Sequence, residues 1–424
     1  MITRMQQAKL GKISDEIKKI ALEEGVDENL IVDGVAKGQI VILGNNKRKN
    51  IKPVAMGDCL RVKVSANINA TNKKTSLNSE LDKVRIVQQA GADMALDFCA
   101  NGINDEIRQA ILAGFDMPIG TIPTVQAGLQ ILNEFNNIEM MTKEDIFNTI
   151  KMHCEEGVDF IMVHCGLTKS ILDKMQHQKR FSKFTSHAAN MLACWMKATG
   201  KENPLFEYFD ELLEIVKLYD VTLLLGGAFK SASTLDASDS IEVAELIVLS
   251  DLIRKARMND VQVMIEGLGQ VSLNKIPMMV QNINELTDFT PLYVIGANAC
   301  DCAVGYDNIT TAIGGALAAY QGADVLSAIT SVERIGFAHS AQIREGVLSA
   351  RIAAHCADLA RGNKKIVRQN NKISFARKNS DWKKQIENSI DKSVFEGMNL
   401  AQDGNLGIMC GDYSMDEMYN KYFS

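Results

Sequence analysis

The run Val221-Thr222-Leu223-Leu224-Leu225-Gly226 contains no charged side chain and is flanked by longer helical patterns. A continuous apolar run is typical of a parallel strand that is covered on both faces. Seven other short, β-rich runs alternate with helical patterns in the same way, which gives eight predicted strands: Cys59–Ile68, Asp93–Phe98, Pro118–Ile122, Val158–His164, Val221–Gly226, Val261–Glu266, Leu292–Gly296 and Asp324–Thr330. Eight strand–helix repeats predict a closed parallel (β/α)8 barrel of the TIM type.

The stretches between the predicted strands carry helix signals. Leu81, Val84 and Val87 are spaced three residues apart, as on one face of a helix, and Thr142-Lys143-Glu144-Asp145 resembles a capping box. An open doubly wound sheet fits less well, because the first strand is followed by Ala66-Asn67-Ile68-Asn69-Ala70 and not by a glycine-rich turn.

Three segments are predicted along the chain. Residues 1–58 form a polar, partly helical N-terminal cap or oligomerisation segment, with a helix over Ser14–Glu24, and residues 59–355 form the barrel. Residues 356–424 form a charged helical tail, in which Gly404-Asn405-Leu406-Gly407 is a flexible joint before a last helix, Asp416–Tyr422.

Composition excludes several classes of protein. The 424 residues are 46% hydrophobic and 23% charged, which is typical of a globular protein, and no apolar run is long enough to span a membrane. The net charge of −6 gives no reason to expect nucleic acid as a partner. The nine cysteines are scattered, so we expect no disulfide framework. The N-terminus lacks the apolar core of a signal peptide, and we expect a cytoplasmic protein.

The carboxyl ends of barrel strands surround the active-site mouth, so polar residues there are candidates for function. They are Asn67, Asp97 with Cys99, Thr121, His164 with Cys165, Lys230, Glu266, Asn298 with Cys300, Asp301 and Cys302, and Thr330 with Glu333. We single out His164 and Glu266 as candidate catalytic residues, since an acid or base acts at such positions. A hydrogen-bonded core histidine and a structural salt bridge are the alternatives.

Cys300 and Cys302 form a Cys-x-Cys pair that could offer soft ligands to a metal together with Cys99 and Cys165. Cysteine is also a common small apolar residue of protein cores, and we favour that interpretation.

Several stretches resemble the thiamine pyrimidine synthase (ThiC) family from about residue 4 to the C-terminus. They are Val62–Ile68, Gly91–Asp97, Pro118–Pro123, Asp260–Gly267, Gly305–Thr310, Arg344–Val347 and Ile352–Ala360. The resemblance implies a barrel that rearranges aminoimidazole ribotide into hydroxymethylpyrimidine phosphate with S-adenosylmethionine, a [4Fe-4S] cluster on a Cys-x2-Cys-x4-Cys motif, and a second metal on two histidines. An anaerobic branch of the family makes 5-hydroxybenzimidazole for cobamides, in some organisms with two paralogous chains.

The positions of the family's metal ligands are altered here. The cluster motif aligns with Gly407–Met415, where Gly407 and Met415 replace two cysteines and only Cys410 remains. Gln270 and Arg334 occupy the two histidine positions. One thiolate cannot hold a [4Fe-4S] cluster. A guanidinium is permanently cationic and therefore does not bind a metal ion. We therefore expect this chain alone to bind neither the cluster nor the metal, which a partner chain would supply.

The residues that the resemblance assigns to the substrate are partly retained. Asn67, His164, Ser186, Glu266 and Tyr293 match the family, whereas Leu96 replaces a methionine and Val125 a tyrosine. The phosphate-binding Ser-Arg-Gly is Ser186-His187-Ala188, and the Asp-Gly-Leu-Arg loop is Gly227-Ala228-Phe229-Lys230. The loss of an arginine fork weakens phosphate recognition, although Lys230 can act as a point charge.

Three functions follow from the resemblance. The first is a cluster-less subunit of a two-chain radical lyase, most readily of the benzimidazole-forming branch, in a heterodimer with a paralogous chain. The second is a non-catalytic homologue, as a homodimer, that binds a ribotide or related phosphate. The third is a self-sufficient phosphomethylpyrimidine synthase, against which the loss of two cluster cysteines argues directly.

Overall fold

The structure is a computed structural model that describes residues 2–68, 76–100, 104–178, 180–182, 184–379, 381–396 and 415–423. The chain forms two compact units, Met1–Arg361 and Gly362–Ser424. The three-segment division at residues 58 and 355 stays a prediction about domains.

The first unit is built around a closed barrel of eight parallel strands. These follow a two-stranded antiparallel sheet of β1 (Ile40–Leu43) and β2 (Val54–Gly57). The barrel strands are β3 (Lys63–Ile68), β4 (Met94–Asp97), β5 (Ile119–Thr121), β6 (Phe160–Val163), β7 (Thr222–Leu225), β8 (Val263–Gly267), β9 (Leu292–Val294) and β10 (Val325–Ala328). Neighbours in sequence pair in order, and β10 closes the barrel on β3 with Leu326 opposite Val64. All eight predicted strands are confirmed, as is the barrel.

The barrel strands are apolar on both faces because both faces are buried. On β6, Phe160 and Met162 point into the barrel interior, while Ile161 and Val163 pack in the layer between strands and helices. The interior is tightly filled at one position in particular: a Cβ atom on Gly120 would lie 2.1 Å from Cε2 of Phe160. A residue without a side chain is therefore required on β5.

The helices of the first unit either precede the barrel (the first three), connect its strands, or follow the last strand (the last one). They are α1 (Arg4–Lys9), α2 (Asp15–Glu24), α3 (Glu28–Lys37), α4 (Leu77–Gln89), α5 (Asn104–Gly114), α6 (Pro123–Phe135), α7 (Lys143–Glu156), α8 (Lys169–Gln176), α9 (His187–Thr199), α10 (Pro204–Glu207), α11 (Phe209–Tyr219), α12 (Ser240–Met258), α13 (Ile276–Leu286), α14 (Asp307–Tyr320) and α15 (Ser340–Ala360). The predicted capping box is present at α7, where Thr142 and Asp145 cap each other's backbone.

Residues before the barrel close the end at which the strands begin. Val41 and Leu43 of β1 pack in the same cluster as the barrel interior. The side chain of Gln262, just before β8, accepts from the backbone of Ile42 at 2.8 Å and donates to it at 2.9 Å. Farther upstream, Thr3 donates to the carbonyl of Asp260 at 3.0 Å. The N-terminal segment is thus a cap; its predicted role in oligomerisation stays a prediction.

The second unit contains α16 (Lys364–Lys378), α17 (Trp382–Asn388) and α18 (Met415–Phe423). Gln369 on α16 donates to the carbonyl of Asn388 at 2.8 Å and ties these two helices together. The predicted joint 404–407 lies outside the described residues. Across both units, none of the helices that the structure describes is long and apolar enough to cross a membrane.

Candidate active site

A cavity of about 420 Å³ opens at the carboxyl ends of the barrel strands, where the sequence predicted polar candidate residues. Six of the predicted substrate-binding residues line it: Asn67, Val125, Ser186, His187, Lys230 and Glu266. Gln270 and Arg334, which the resemblance assigns to the family's histidine positions, line it too, together with Asn298 and Glu333. The fold therefore brings most of the predicted site together, from β3, β8 and the segments that follow β5, β6, β7, β9 and β10.

The other predicted residues do not line this cavity. Leu96 on β4 and Tyr293 on β9 are fully buried in the barrel interior, and burial raises the pKa of Tyr293 to about 12. Cys99 and Cys165 are buried, whereas Cys300 and Cys302 are exposed. These two pairs therefore lie in different surroundings, and among the described residues no group of three or more His, Cys, Asp or Glu side chains could hold a metal ion.

A buried ion pair between Glu266 and Lys230 forms part of the cavity wall. Glu266 is the last-but-one residue of β8 and its side chain is fully buried. Its Oε2 accepts from Lys230 Nζ at 2.9 Å and from the backbone N–H of Gly227 at 2.9 Å. Lys230 also donates to the carbonyl of Gly227 at 3.2 Å. Glu266 Oε1 has no hydrogen-bond partner among the described residues. The carboxylate is thus neutralised on one side and keeps one free acceptor.

The loop that carries Lys230 is fixed from behind by Glu245 of α12. Its carboxylate accepts the backbone N–H groups of Ala228 and Phe229 at 2.7 and 2.8 Å. Burial raises the pKa of Glu245 to about 7, and the two backbone hydrogen bonds only partly oppose that shift. The loop therefore rests on a buried carboxyl group, which sets the position of the Lys230 ammonium.

His164 follows β6 directly and is completely buried. Both ring nitrogens lack a partner among the described residues, and burial, with the nearby charge of Lys230, lowers its pKa to about 3. The imidazole is therefore neutral at physiological pH. It packs behind Gly226, where an added Cβ would lie 2.8 Å from its Nε2, and it does not line the cavity. Its catalytic role stays a prediction.

Ser186 and His187 enter the cavity from the beginning of α9. Ser186 is the N-cap residue, and its hydroxyl accepts from the backbone N–H of Ala189 at 3.4 Å. His187, the first residue of the helix, is exposed. A helix N-terminus carries unpaired N–H groups and partial positive charge, which favour an anion. This part of the cavity therefore has a positive partial charge and unpaired N–H groups that are suited to an anion.

Gln270 and Arg334 lie on a wall of the cavity that does not fit a metal ion. Arg334 Nε donates to Asp307 Oδ1 at 3.1 Å. Asn298 donates to the same oxygen at 3.3 Å, and its backbone pairs with that of Gln270. The guanidinium of Arg334 has no lone pair to donate to a metal ion, and only the resemblance places it and the Gln270 amide at two histidine positions. The second metal therefore has no suitable ligand set at these positions.

Most of the segment that aligns with the cluster motif lies outside the residues that the structure describes. Gly407 and Cys410 lie outside the described residues, and of Met415 only its position at the start of α18 is described. That a single thiolate remains where the family uses three cysteines stays a prediction from the resemblance. Such a donor set would not fit a [4Fe-4S] cluster.

Asp307, the partner of Arg334, was missed by sequence reasoning. It is the first residue of α14, after the exposed Tyr306, and its side chain is buried. An acidic residue at the start of the helix that follows the last-but-one barrel strand was the signal that could have placed it near the mouth.

A closed (β/α)8 barrel with a cavity at the carboxyl ends of its strands is the architecture of the barrel-enzyme class. Residues 3–421 match the radical SAM ThiC family, and the chain belongs to that family. It is 39% identical over 416 residues to a phosphomethylpyrimidine synthase of Thermodesulfovibrio yellowstonii, with 97% of each chain covered. It is 41% identical over 416 residues to that of Geobacter metallireducens, with 97% of this chain and 95% of the relative covered.

Among solved structures, the dihydropteroate synthase of Yersinia pestis aligns with a TM-score of 0.40 and 13% identity, over 71% of this chain and 93% of that chain.

Proposed function

We propose that this chain binds aminoimidazole ribotide, or a closely related ribotide phosphate, and acts as the cluster-less subunit of a two-chain radical lyase. A paralogous chain would hold the cluster and S-adenosylmethionine. The product would be the thiamine pyrimidine, as the names of the relatives suggest, or 5-hydroxybenzimidazole. The supporting observation is a retained ligand cavity beside altered metal positions: Glu266 and Ser186 line it, while Arg334 is paired with Asp307.

Each retained residue has a chemical role in this proposal. Glu266 Oε1, which has no partner, accepts a ribose hydroxyl, because Oε2 is already held by Lys230 and Gly227. The N-terminus of α9 provides the positive potential for the phosphate, and Lys230, whose charge is balanced by Glu266, can add a hydrogen bond from its ammonium. Asn67, at the end of β3, offers an amide to the heterocycle. These residues bind and orient the ribotide, and the radical chemistry belongs to the partner chain.

A second candidate is a ribotide-binding homologue that works without catalysis. The Glu266–Lys230 ion pair favours it, because a carboxylate held by a buried ammonium is a poor general base. A self-sufficient phosphomethylpyrimidine synthase is the third, and the sequence at Gly407 and Met415 argues against it.

The first test is anaerobic co-expression with a family paralogue that has an intact cluster motif. We expect a stable heteromer with three to four irons per pair, S-adenosylmethionine cleavage, and turnover of aminoimidazole ribotide that exceeds the turnover by the paralogue alone. Failure to form a complex, or full activity of the paralogue alone, contradicts the two-chain proposal. Three to four irons on the isolated chain contradict the cluster-less assignment.

The second test separates the two leading candidates and uses calorimetric titration of the isolated chain with aminoimidazole ribotide. Binding without a partner supports the retained cavity, and we expect Glu266→Gln to weaken it. The matched control is Glu214→Gln, on the exposed face of α11. Equal affinity of the wild type and Glu266→Gln argues against the assigned role of Glu266. Ligand binding by a homodimer that forms no complex with any family paralogue favours the non-catalytic homologue.

A further inference from the structure

The guanidinium of Arg334 is held by hydrogen bonds along only one of its edges. Nε and Nη2 donate to the same oxygen of Asp307, Oδ1, the former at 3.1 Å. Nη1 makes no hydrogen bond to any residue that the structure describes. The Arg334 side chain is 32% exposed, whereas Asp307 is 1% exposed. Because Arg334 lines the cavity, its second edge is available to a ligand there.

The carboxylate behind Arg334 is itself fixed. Asn298 donates to Asp307 Oδ1 at 3.3 Å, and the Asn298 side-chain oxygen accepts from Thr310 Oγ1 at 2.6 Å. The backbone N–H of Val271 donates to the carbonyl of Asn298 at 3.0 Å. The orientation of the guanidinium therefore depends on a connected wall formed by the segments after β8 and β9 and the first turn of α14.

A guanidinium remains charged at every physiological pH and binds carboxylate or phosphate oxygens through two parallel N–H groups. We infer that the free edge of the Arg334 guanidinium, whose other edge is paired with Asp307, receives carboxylate or phosphate oxygens of the ligand without a metal ion. Asp307 is the positioning residue for this anion site. The inference rests on the proposed function only in using the same cavity.

The experiment uses two small anions as probes on the full chain. Inorganic phosphate is followed by ³¹P line broadening and trifluoroacetate by ¹⁹F line broadening, each with and without EDTA. We expect EDTA to have no effect, and Arg334→Gln to weaken binding of at least one anion about tenfold, as the loss of a charge-assisted hydrogen bond implies. Arg334→Lys should recover part of the affinity. The preferred probe then distinguishes a phosphate from a carboxylate ligand.

The matched control is Arg254→Gln on the exposed surface of α12, which should bind both anions as the wild type does. A second arm adds Co²⁺: the wild type should show no visible absorption band from a protein-bound ion, whereas Gln270→His/Arg334→His should gain about one bound Co²⁺. Equal anion affinity in wild type and Arg334→Gln, loss of binding with EDTA, or a bound Co²⁺ in the wild type each overturns the inference.

Failure of this inference is distinguishable from failure of the proposed function. If Arg334-dependent anion binding is present but aminoimidazole ribotide does not bind, the ribotide proposal fails and the anion site stands. If the ribotide binds with the same affinity to wild type and Arg334→Gln, and the anions do likewise, the anion site fails and the ribotide proposal stands.

Discussion

The buried ion pair between Lys230 and Glu266 gives the sharpest test of the site. Their side chains are 7% and 0% exposed, so Lys230→Met leaves a carboxylate buried without its counter-ion. Removing one partner of such a pair costs about 3–5 kcal/mol. Glu266 keeps the N–H of Gly227 at 2.9 Å, and we therefore expect a loss near the lower limit, about 3 kcal/mol of unfolding free energy.

The double variant Lys230→Met/Glu266→Gln removes both charges and leaves an amide oxygen for the same backbone N–H. We expect its free energy of unfolding to lie within about 1 kcal/mol of that of the wild type. Replacing both ions by neutral side chains costs far less than leaving one buried ion without its partner. Urea unfolding at pH 7, followed by far-UV circular dichroism, measures both variants and Glu266→Gln, which completes the cycle.

An exposed pair provides the control for this cycle. Lys255 and Asp210 are 44% and 71% exposed at 2.8 Å, so Lys255→Met should change stability by less than about 0.5 kcal/mol. The reasoning is refuted if Lys230→Met costs less than about 1 kcal/mol. It is also refuted if the double variant loses as much as the two single variants together.

Three further predictions concern the pH dependence, the cysteines and the packing of the barrel. Burial raises the pKa of Glu245 to about 7 from its usual 4.5, so the folded protein retains a proton that the unfolded chain releases, and stability falls as the pH rises between these values. Glu245→Gln should flatten that dependence by roughly 3 kcal/mol in unfolding experiments from pH 4 to 8. Native labelling with iodoacetamide and peptide mass spectrometry should modify the exposed thiols and spare the buried ones, whose pKa burial raises: Cys59, Cys194, Cys300, Cys302 and Cys356 against Cys99, Cys154 and Cys165. Gly120→Ala should destabilise the barrel by about 1–3 kcal/mol in chemical denaturation, because the new methyl group overlaps Phe160.

These predictions have their own controls. Glu214→Gln should retain the pH dependence of the wild type, and a curve for Glu245→Gln that matches it would disprove the role of burial. Labelling of Cys165 as fast as Cys194 in the native protein would contradict the assigned core. Gly114→Ala, where an added Cβ meets nothing within 4 Å, should be neutral or slightly stabilising, and an equal loss at Gly120 and Gly114 would reject the packing argument.

The barrel could be predicted because its periodicity is local and repeated. Each run such as Phe160–Val163 is short, apolar and followed by a helix, and eight repetitions leave few other topologies. The β1–β2 pair was missed, although Ile40-Val41-Ile42-Leu43 is as apolar as any barrel strand. The polar residues on both sides of it favour a partly helical segment and hide the strand.

The sequence predicted which residues lie near the cavity, but not which side chains they contact. A residue at the end of a strand must lie near the mouth, which placed Glu266 and Asn67 correctly. The partners of these residues depend on side chains far apart in sequence: Lys230 meets Glu266 from 36 residues away, and Asp307 meets Arg334 from 27. His164 shows the limit of the positional rule, since one residue beyond β6 it is enclosed by Gly226 and not open to the cavity.

The hydrogen bonds from Thr3 to Asp260 and between Ile42 and Gln262 span 257 and 220 residues. During synthesis, the first residues leave the ribosome long before β8 exists, and the apolar side chains of β1 have no barrel interior to enter. The apolar side chains of this segment therefore stay without their partners until well over half of the protein has emerged. During that time the segment is at risk of associating with other chains. Closure of β10 on β3 comes later still. We expect chaperone dependence to be greatest for nascent chains that end before Gln262.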